Sequence, residues 1–522
     1  MADSEMTYGA VSDMSMADGA VSDAPMADSA MPDTVSPDTA IPSIEVPDTT
    51  IPWPAMPAKE KPTGESQEAI HGAGSSSSYS NGCPFGTQPD YGYRFNQVLR
   101  VLDQSQLPVL ANSIFKQVYP HEATDDVLPT IGDHSKGAFN MMFPITFPNG
   151  VKWALRIPAV GWEGCWDEAA ASNMLTEINT MKMLKRETTI PLPEVIAYSV
   201  SLDTPLRTPY FIMNYIDGIP GHKIWFEAEL VWSEEKGYLV RDYDGQKLRQ
   251  LKMLDGIAAA MVQLGKYTYP TSGTPLFDDN GYRTPKVTGP WRRLDEHAGS
   301  KNDDDHEVVF AEFPPSPNPH HWNRCLLEKY PRSGIGHAVD RILWHIINWI
   351  PDPSDMDPFV LAHPDFNLQK FLCADDGTLL AIIDWDGKTA VPRSRGNEKY
   401  PGWLCSDFTL EMKMAEQDGT ISITPLEQTR FFRRFYRNKL ARYKKRENRG
   451  RMEPILKYKL PGLALVTEGI EYAHFDAHFR LHTLMELLNL AWEASGVEDP
   501  PSFDDLIKAF SVKEIDRDLK KR

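Results

Sequence analysis

The chain has 522 residues, a formal charge of −19 and 24% charged residues. So acidic a balance argues against unspecific binding to nucleic acid or to an anionic membrane surface, and no apolar run approaches the ~18 residues that a membrane-spanning helix needs. The cysteines, Cys83, Cys165, Cys325, Cys373 and Cys405, are scattered, without metal or redox spacing, and their odd number argues against a disulfide framework. The N-terminus is acidic where a secretory leader would be basic and apolar. These features lead to the expectation of a soluble, cytoplasmic protein with no nucleic-acid and no membrane partner.

The charge is unevenly spread. Residues 1–58 hold ten acids and no Lys or Arg, and Met-Ala-Asp recurs from Met1, Met16 and Met26. Pro-rich residues 42–62 and the run Ser75–Ser78 follow. Few side chains here could bury enough area to offset ordering entropy, so residues 1–90 are expected to form a disordered tail. A solvated extension is the preferred reading of this tail, and a protein partner for its acids is the alternative.

Order is expected from about Tyr93. Phe95–Leu102 and Leu107–Val118 have the spacing of amphipathic helices. Between Ile131 and Asn140, Gly132 and Gly137 bracket a loop whose backbone N–H groups could approach phosphate oxygens, although such glycines more often mark a plain hairpin. Met142–Phe147 is apolar, and Pro148-Asn149-Gly150 is a turn. From Val151 to Pro158, apolar residues alternate with Lys152, Ala154 and Arg156, as in a strand. Trp166–Glu187 reads as a helix with Met174, Ile178, Met181 and Leu184 in its apolar stripe. Glu177 falls on the same side, where an acid needs a cation, and Arg156 is the natural one. Tyr210–Gly218 is an apolar strand ending at a glycine.

The rest reads as mostly helical. Leu251–Leu264 and a stretch marked by Ile335, Val339, Ile342, Ile346 and Trp349 are amphipathic, and Pro285–Pro319 is a polar, Pro-rich excursion. Asp376-Gly377 sits between the apolar runs Phe371–Cys373 and Leu379–Ile383, a hairpin signal. That hairpin would bring Asp365 and Asp384 to one site. Residues 425–451 mix Arg and Lys with Phe431, Phe432, Phe435 and Tyr436, read as a helix with a core face and a solvated face. His474, His478 and His482 recur at helical spacing but lack a supporting metal motif.

His363-x-Asp365, the hairpin, and Ile383-Asp384 resemble the catalytic segment of the aminoglycoside phosphotransferase and choline kinase families, small-molecule kinases with a protein-kinase-like fold. Ala154-x-Arg156 resembles the kinase A-x-K strand, and Tyr210–Gly218 the last strand of the small lobe with its hinge. The resemblance implies an α+β, two-lobed fold: a tail at 1–90, a β-rich N-lobe at 91–217, and a helical C-lobe at 218–515 carrying the catalytic hairpin at 360–387. It implies ATP and Mg²⁺ as cofactors and a small-molecule hydroxyl as acceptor. Asp365 would orient or deprotonate that hydroxyl, with His363 bracing the loop. Asp384 would hold the metal. Gly137, Asn140, Arg156 braced by Glu177, and the hinge residues Asn214 and Ile216 would bind the nucleotide. No D-F-G or A-P-E segment follows, which argues against a protein kinase. The family pattern is H-x-D-x-x-x-x-N, and its Asn position is Lys370 here. A charged lysine offers a metal no lone pair, so the alternative implied is a catalytically impaired nucleotide-binding scaffold.

Overall fold

The computed structural model describes residues 44–45, 94–121, 127–234, 238–294, 310–328, 335–350, 357–405, 426–447, 466–467, 469–470, 473, 480–495, 499 and 501–511. The expected tail thus lies outside the described residues, apart from Ile44–Glu45. Helices α1 (Asn96–Val101) and α2 (Leu107–Val118) form where the apolar spacing predicts them. Their faces, including Val98, Leu110, Ile114 and Phe115, are buried against one side of a sheet.

That sheet holds β1 (Asn140–Thr146) and β2 (Lys152–Pro158), then, beyond α3 (Glu168–Glu187), β3 (Val195–Ser199) and β4 (Tyr210–Asn214). Its order is Ile44–Glu45, β3, β4, β2, β1, Thr130–Ile131, with Ser135–Lys136 also paired to β1. Ile44–Glu45 runs parallel to β3, and the other pairs are antiparallel. The alternation in β2 suggests one buried face, yet every residue from Trp153 to Ile157 is buried. The reason is a cover on each side. Trp153, Leu155 and Ile157 pack with α1 and α2, while Arg156 reaches Glu177 on α3. Helix α3 starts where the Asp167 side chain accepts from the Ala170 N–H (2.7 Å).

Past the hinge, β5 (Ile219–Pro220) leads into α4 (Gly221–Phe226) and α5 (Tyr243–Gln263). Helix α5 begins well before Leu251, the expected start, because the Asp242 side chain caps it by accepting from the Gly245 N–H (2.8 Å). The excursion after Pro285 is not structureless: Trp291–Leu294 pairs with Phe310–Phe313, and Trp291 stacks on Phe313 at 4.6 Å. Helices α6 (Pro319–Glu328) and α7 (Ile335–Trp349) follow. Next come β6 (Phe359–Ala362), β7 (Phe371–Cys373), β8 (Leu379–Ile382) and β9 (Thr389–Pro392). Helix α8 (Leu426–Glu447) buries Phe432, Tyr436 and Leu440 and leaves Phe431 exposed, so most of the basic-aromatic run's rings belong to the core. Helix α9 (Arg480–Ser495) is tied to α7 by the buried pair Arg480–Asp340 (2.9 Å). His474 and His478 lie outside the described residues. No group of His, Cys, Asp and Glu among the described residues is suited to a metal, and no helix among them is long and apolar enough to cross a membrane.

This is the α+β, two-lobed arrangement that the resemblance implies, with small hairpins added to the C-lobe. The lobes meet at the β7–β8 hairpin. Strand β5 pairs with β7 directly after the hinge, and the Ile382 N–H donates to the Pro191 carbonyl of the N-lobe (2.8 Å).

The hairpin turn spans Ala374–Thr378, and Gly377 adopts φ +83° with its Cα hydrogen turned toward α5. A Cβ there would lie 2.4 Å from the Arg249 carbonyl oxygen, whereas one at Gly150 (φ +88°) would meet nothing within 4 Å. Gly150→Ala should cost about 1 kcal/mol, the ordinary cost of a side chain at positive φ. Gly377→Ala should cost at least about twice that, because backbone must also move. Denaturant melts of the two variants check this, and equal costs would mean that the turn does not press on α5.

Candidate active site

A cavity of about 860 Å³ opens between the lobes. Gly137, Asn140, Arg156 and Glu177 line it from the N-lobe, Asn214 and Ile216 from the hinge, and Asp365 and Asp384 from the hairpin side. His363 is not on its wall. Ala154 and Met213 above and Leu372 and Ile383 below give one end of the cavity apolar walls.

Arg156 is the hub. Its register opposite Met142 and Phe211 holds it mid-strand. Its Nη1 donates to Glu177 Oε1 at 2.5 Å, both side chains being almost fully buried, and its Nη2 donates to Asp384 Oδ1 at 3.0 Å. Asp386 Oδ2 lies 3.8 Å from the same nitrogen. With its amide oxygen toward the guanidinium, Asn140 accepts from Nη2 (2.5 Å) and Nε (3.2 Å). Burial works against the guanidinium charge, but Glu177, Asp384 and Asp386 outweigh it and raise the Arg156 pKa. Burial also pushes the Glu177 carboxyl up, to about 7, against the pull of Arg156.

The hairpin places the other half. At its open end the Ile383 N–H donates to the Lys370 carbonyl (2.9 Å), and the Ile383 carbonyl accepts from His363 Nε2 (3.0 Å). One residue thus aligns both arms beside Asp384, which adopts the left-handed φ of +65°. His363 is buried edge-on to Trp385, ring centroids 4.7 Å apart. Burial lowers its pKa to about 4, so the imidazole is a neutral brace at ordinary pH.

Lys370 completes the site in a way the sequence left open between two outcomes. It sits in a 3₁₀ turn, Leu368–Lys370, rather than in the strand, and its Nζ contacts Asp384 Oδ2 while lying 3.2 Å from Asp365 Oδ2. Burial opposes its charge, but Asp384 and Asp365 prevail and raise its pKa. Burial would likewise raise the Asp384 pKa, yet Arg156 and Lys370 hold it at about 2.

Two charged positions on the cavity wall escape the sequence reading. Asp386 joins Arg156 as above. Lys388 is 2% exposed, donates to the Asn173 carbonyl (3.2 Å), and has its pKa lowered to about 8 by burial, against Glu177 and Asp386. The alternation Asp384-x-Asp386-x-Lys388 was a visible signal, but nothing local marks a lysine as buried.

The arrangement does not suit a divalent ion as it stands. Arg156 engages one oxygen of Asp384 and Lys370 the other, and Lys370 has no lone pair to give. A metal placed against Asp384 would meet an ammonium already held by two carboxylates.

No protein-family model matches the chain. "Altered inheritance of mitochondria protein 9, mitochondrial" of Debaryomyces hansenii is 25% identical over 178 residues, 32% of this chain and 26% of that protein. The Candida albicans protein of that name is 24% identical over 33% of this chain and 25% of its own length. The chain thus spans about a quarter of these relatives. A subtelomeric hrmA-associated cluster protein of Aspergillus fumigatus is 30% identical over 51% of this chain and 59% of its own length. Among solved structures, a putative aminoglycoside phosphotransferase from Ralstonia eutropha is similar at 12% identity and a TM-score of 0.37, covering 77% of this chain and 94% of that one. An ethanolamine kinase of Plasmodium vivax gives 11%, 0.35, 77% and 94%. The cytoplasmic expectation is corrected here: relatives of this chain carry mitochondrial names, an address that composition and charge do not reveal.

Two outcomes test the geometry. Arg156→Ala strands a buried carboxylate and should destabilise the fold by about 3 kcal/mol. A double-mutant cycle with Glu177→Ala should return a coupling of about 1 kcal/mol or more, and additivity would contradict the pair. His363 has a folded pKa below its unfolded value of 6.5, so the unfolded chain binds the extra proton. Its contribution to stability is therefore complete above pH 6.5 and is lost as pH falls toward about 4. Nuclear magnetic resonance should find its ring neutral down to pH 5, and a midpoint above 6 would overturn the neutral brace.

Proposed function

We propose that the chain binds a nucleoside triphosphate between its lobes and transfers the terminal phosphoryl group to a hydroxyl of a small molecule. One observation carries the reading: Asp365, Lys370, Asp384 and Arg156 form a continuous chain of ion pairs along the cavity that also holds the apolar end. A planar base fits between Ala154 and Met213 on one side and Leu372 and Ile383 on the other. Asn214 engages Glu194 with its N–H (3.0 Å) and its side-chain oxygen, so neither of these groups meets the base, and Ile216 is a further hinge residue on the cavity wall. The phosphates would lie toward Arg156 and the loop at Gly137 and Asn140. Asp365, half exposed, has Oδ2 engaged by Lys370 and Gln369, which leaves Oδ1 for the acceptor. In the transfer, the acceptor oxygen bonds to the terminal phosphorus as its proton passes to Asp365. The bridging P–O bond breaks, and its electron pair leaves with the nucleoside diphosphate. Such positioning and charge stabilisation is the bulk of phosphoryl-transfer catalysis.

A second reading, binding without transfer, is favoured by the engagement of Lys370 with both carboxylates. ADP release from ATP, measured with a panel of hydroxylated metabolites, separates the two. Turnover that falls about 10²-fold or more in Asp365→Asn, with ATP affinity retained, supports transfer. ATP binding with no acceptor turned over supports the scaffold. Equal loss of affinity and turnover in Asp365→Asn would contradict the role given to Asp365.

A further inference from the structure

Resting on the nucleotide reading above, we propose that the Lys370 ammonium is a tethered cation that replaces a divalent ion on the nucleotide phosphates, so that this cleft binds ATP without Mg²⁺. Three observations converge. Lys370 lines the cavity itself, on the Asp365–Asp384 side. Its ammonium is fixed by both carboxylates, Asp384 Oδ2 and Asp365 Oδ2, the latter at 3.2 Å. Both oxygens of Asp384 are already engaged by cations, Arg156 Nη2 at 3.0 Å and Lys370.

The donor arithmetic allows a phosphate to join. An ammonium has three N–H donors. Two are used on the carboxylates, and one is left for a phosphate oxygen. Arg156, pinned by Glu177, offers a second positive charge on the same wall. The placement is prepaid: the Ile383 N–H to Lys370 carbonyl bond (2.9 Å) and the 3₁₀ turn hold the backbone from which the side chain reaches. A divalent ion entering here would have to expel the ammonium or sit beside it. Like charges held so close repel strongly in a partly buried site, and more so when one is divalent. Binding of the bare nucleotide avoids that cost, because the positive charge is part of the chain.

The test is calorimetric titration of ATP into the full chain, once with EDTA and once with millimolar Mg²⁺, repeated with Lys370→Asn and Lys370→Arg. The wild type should bind ATP with a dissociation constant that differs by less than about threefold between the two buffers. Lys370→Asn should bind about tenfold or more weakly in EDTA, the loss expected for one charged hydrogen bond, and should regain affinity with Mg²⁺. Lys370→Arg keeps the charge and should stay indifferent to the metal. Wild-type binding that requires Mg²⁺ overturns the inference and leaves the nucleotide reading standing. No ATP binding by the wild type in either buffer overturns the nucleotide reading itself. The wild-type comparison decides between these even if a variant fails to fold.

Discussion

The carboxylate of Asp384 is held between two cations that come from different lobes. Arg156 reaches it from the middle of the N-lobe sheet, and Lys370 from the C-lobe turn before the hairpin. Much of the site is an arrangement for keeping those three groups in register. Glu177 pins Arg156, and Ile383 aligns Lys370 and His363 through its own N–H and carbonyl. Because they are paired, Arg156, Lys370 and Asp384 hold their charges although burial works against each. The same coupling makes the site sensitive as a unit, since removing Arg156 strips the buried Glu177 of its ion-pair partner and takes one of the two cations from Asp384.

The N-lobe sheet can be seen as a device for presenting Arg156. Helices α1 and α2 cover one side of β2 and α3 covers the other, so the strand is buried on both faces and Arg156 meets solvent only at the cavity wall. A lysine at this position would supply one point charge, whereas a guanidinium can bind Glu177, Asp384 and Asn140 at once through its planar donors. On the C-lobe side, β6 and β9 pair so that Ala362 lies opposite Thr389, which brings the loop at His363 beside Lys388. The Arg156–Asp384 pair belongs both to the lobe junction and to the site.

Much of this was legible in the sequence wherever a local pattern fixes the outcome. The stripe of Met174, Ile178, Met181 and Leu184 put Glu177 on the buried side of its helix, and the need of a buried acid for a cation pointed to Arg156. Asp376-Gly377 marked the hairpin turn, and its glycine does take a positive φ. The departure at Lys370 was visible as a single letter, but its partners were not, because the side chain's direction depends on the 3₁₀ turn Leu368–Lys370, which no local pattern marks. Other misses share that origin. The start of α5 depends on one capping aspartate, the Trp291–Phe313 hairpin on pairing across residues distant in sequence, and the burial of Lys388 on α3 packing over it. The mitochondrial names of the relatives reflect an address that no folded-core pattern encodes.

The most direct test of the account is a crystal structure of the chain grown with a non-hydrolysable ATP analogue and Mn²⁺, with anomalous scattering used to locate the ion. The account predicts the base between Ala154 and Leu372, phosphate oxygens within hydrogen-bond distance of Lys370 Nζ and Arg156, and no anomalous peak bonded to an Asp384 oxygen. A manganese ion coordinated by Asp384 with Lys370 swung away, or a nucleotide bound outside the cavity, would contradict it.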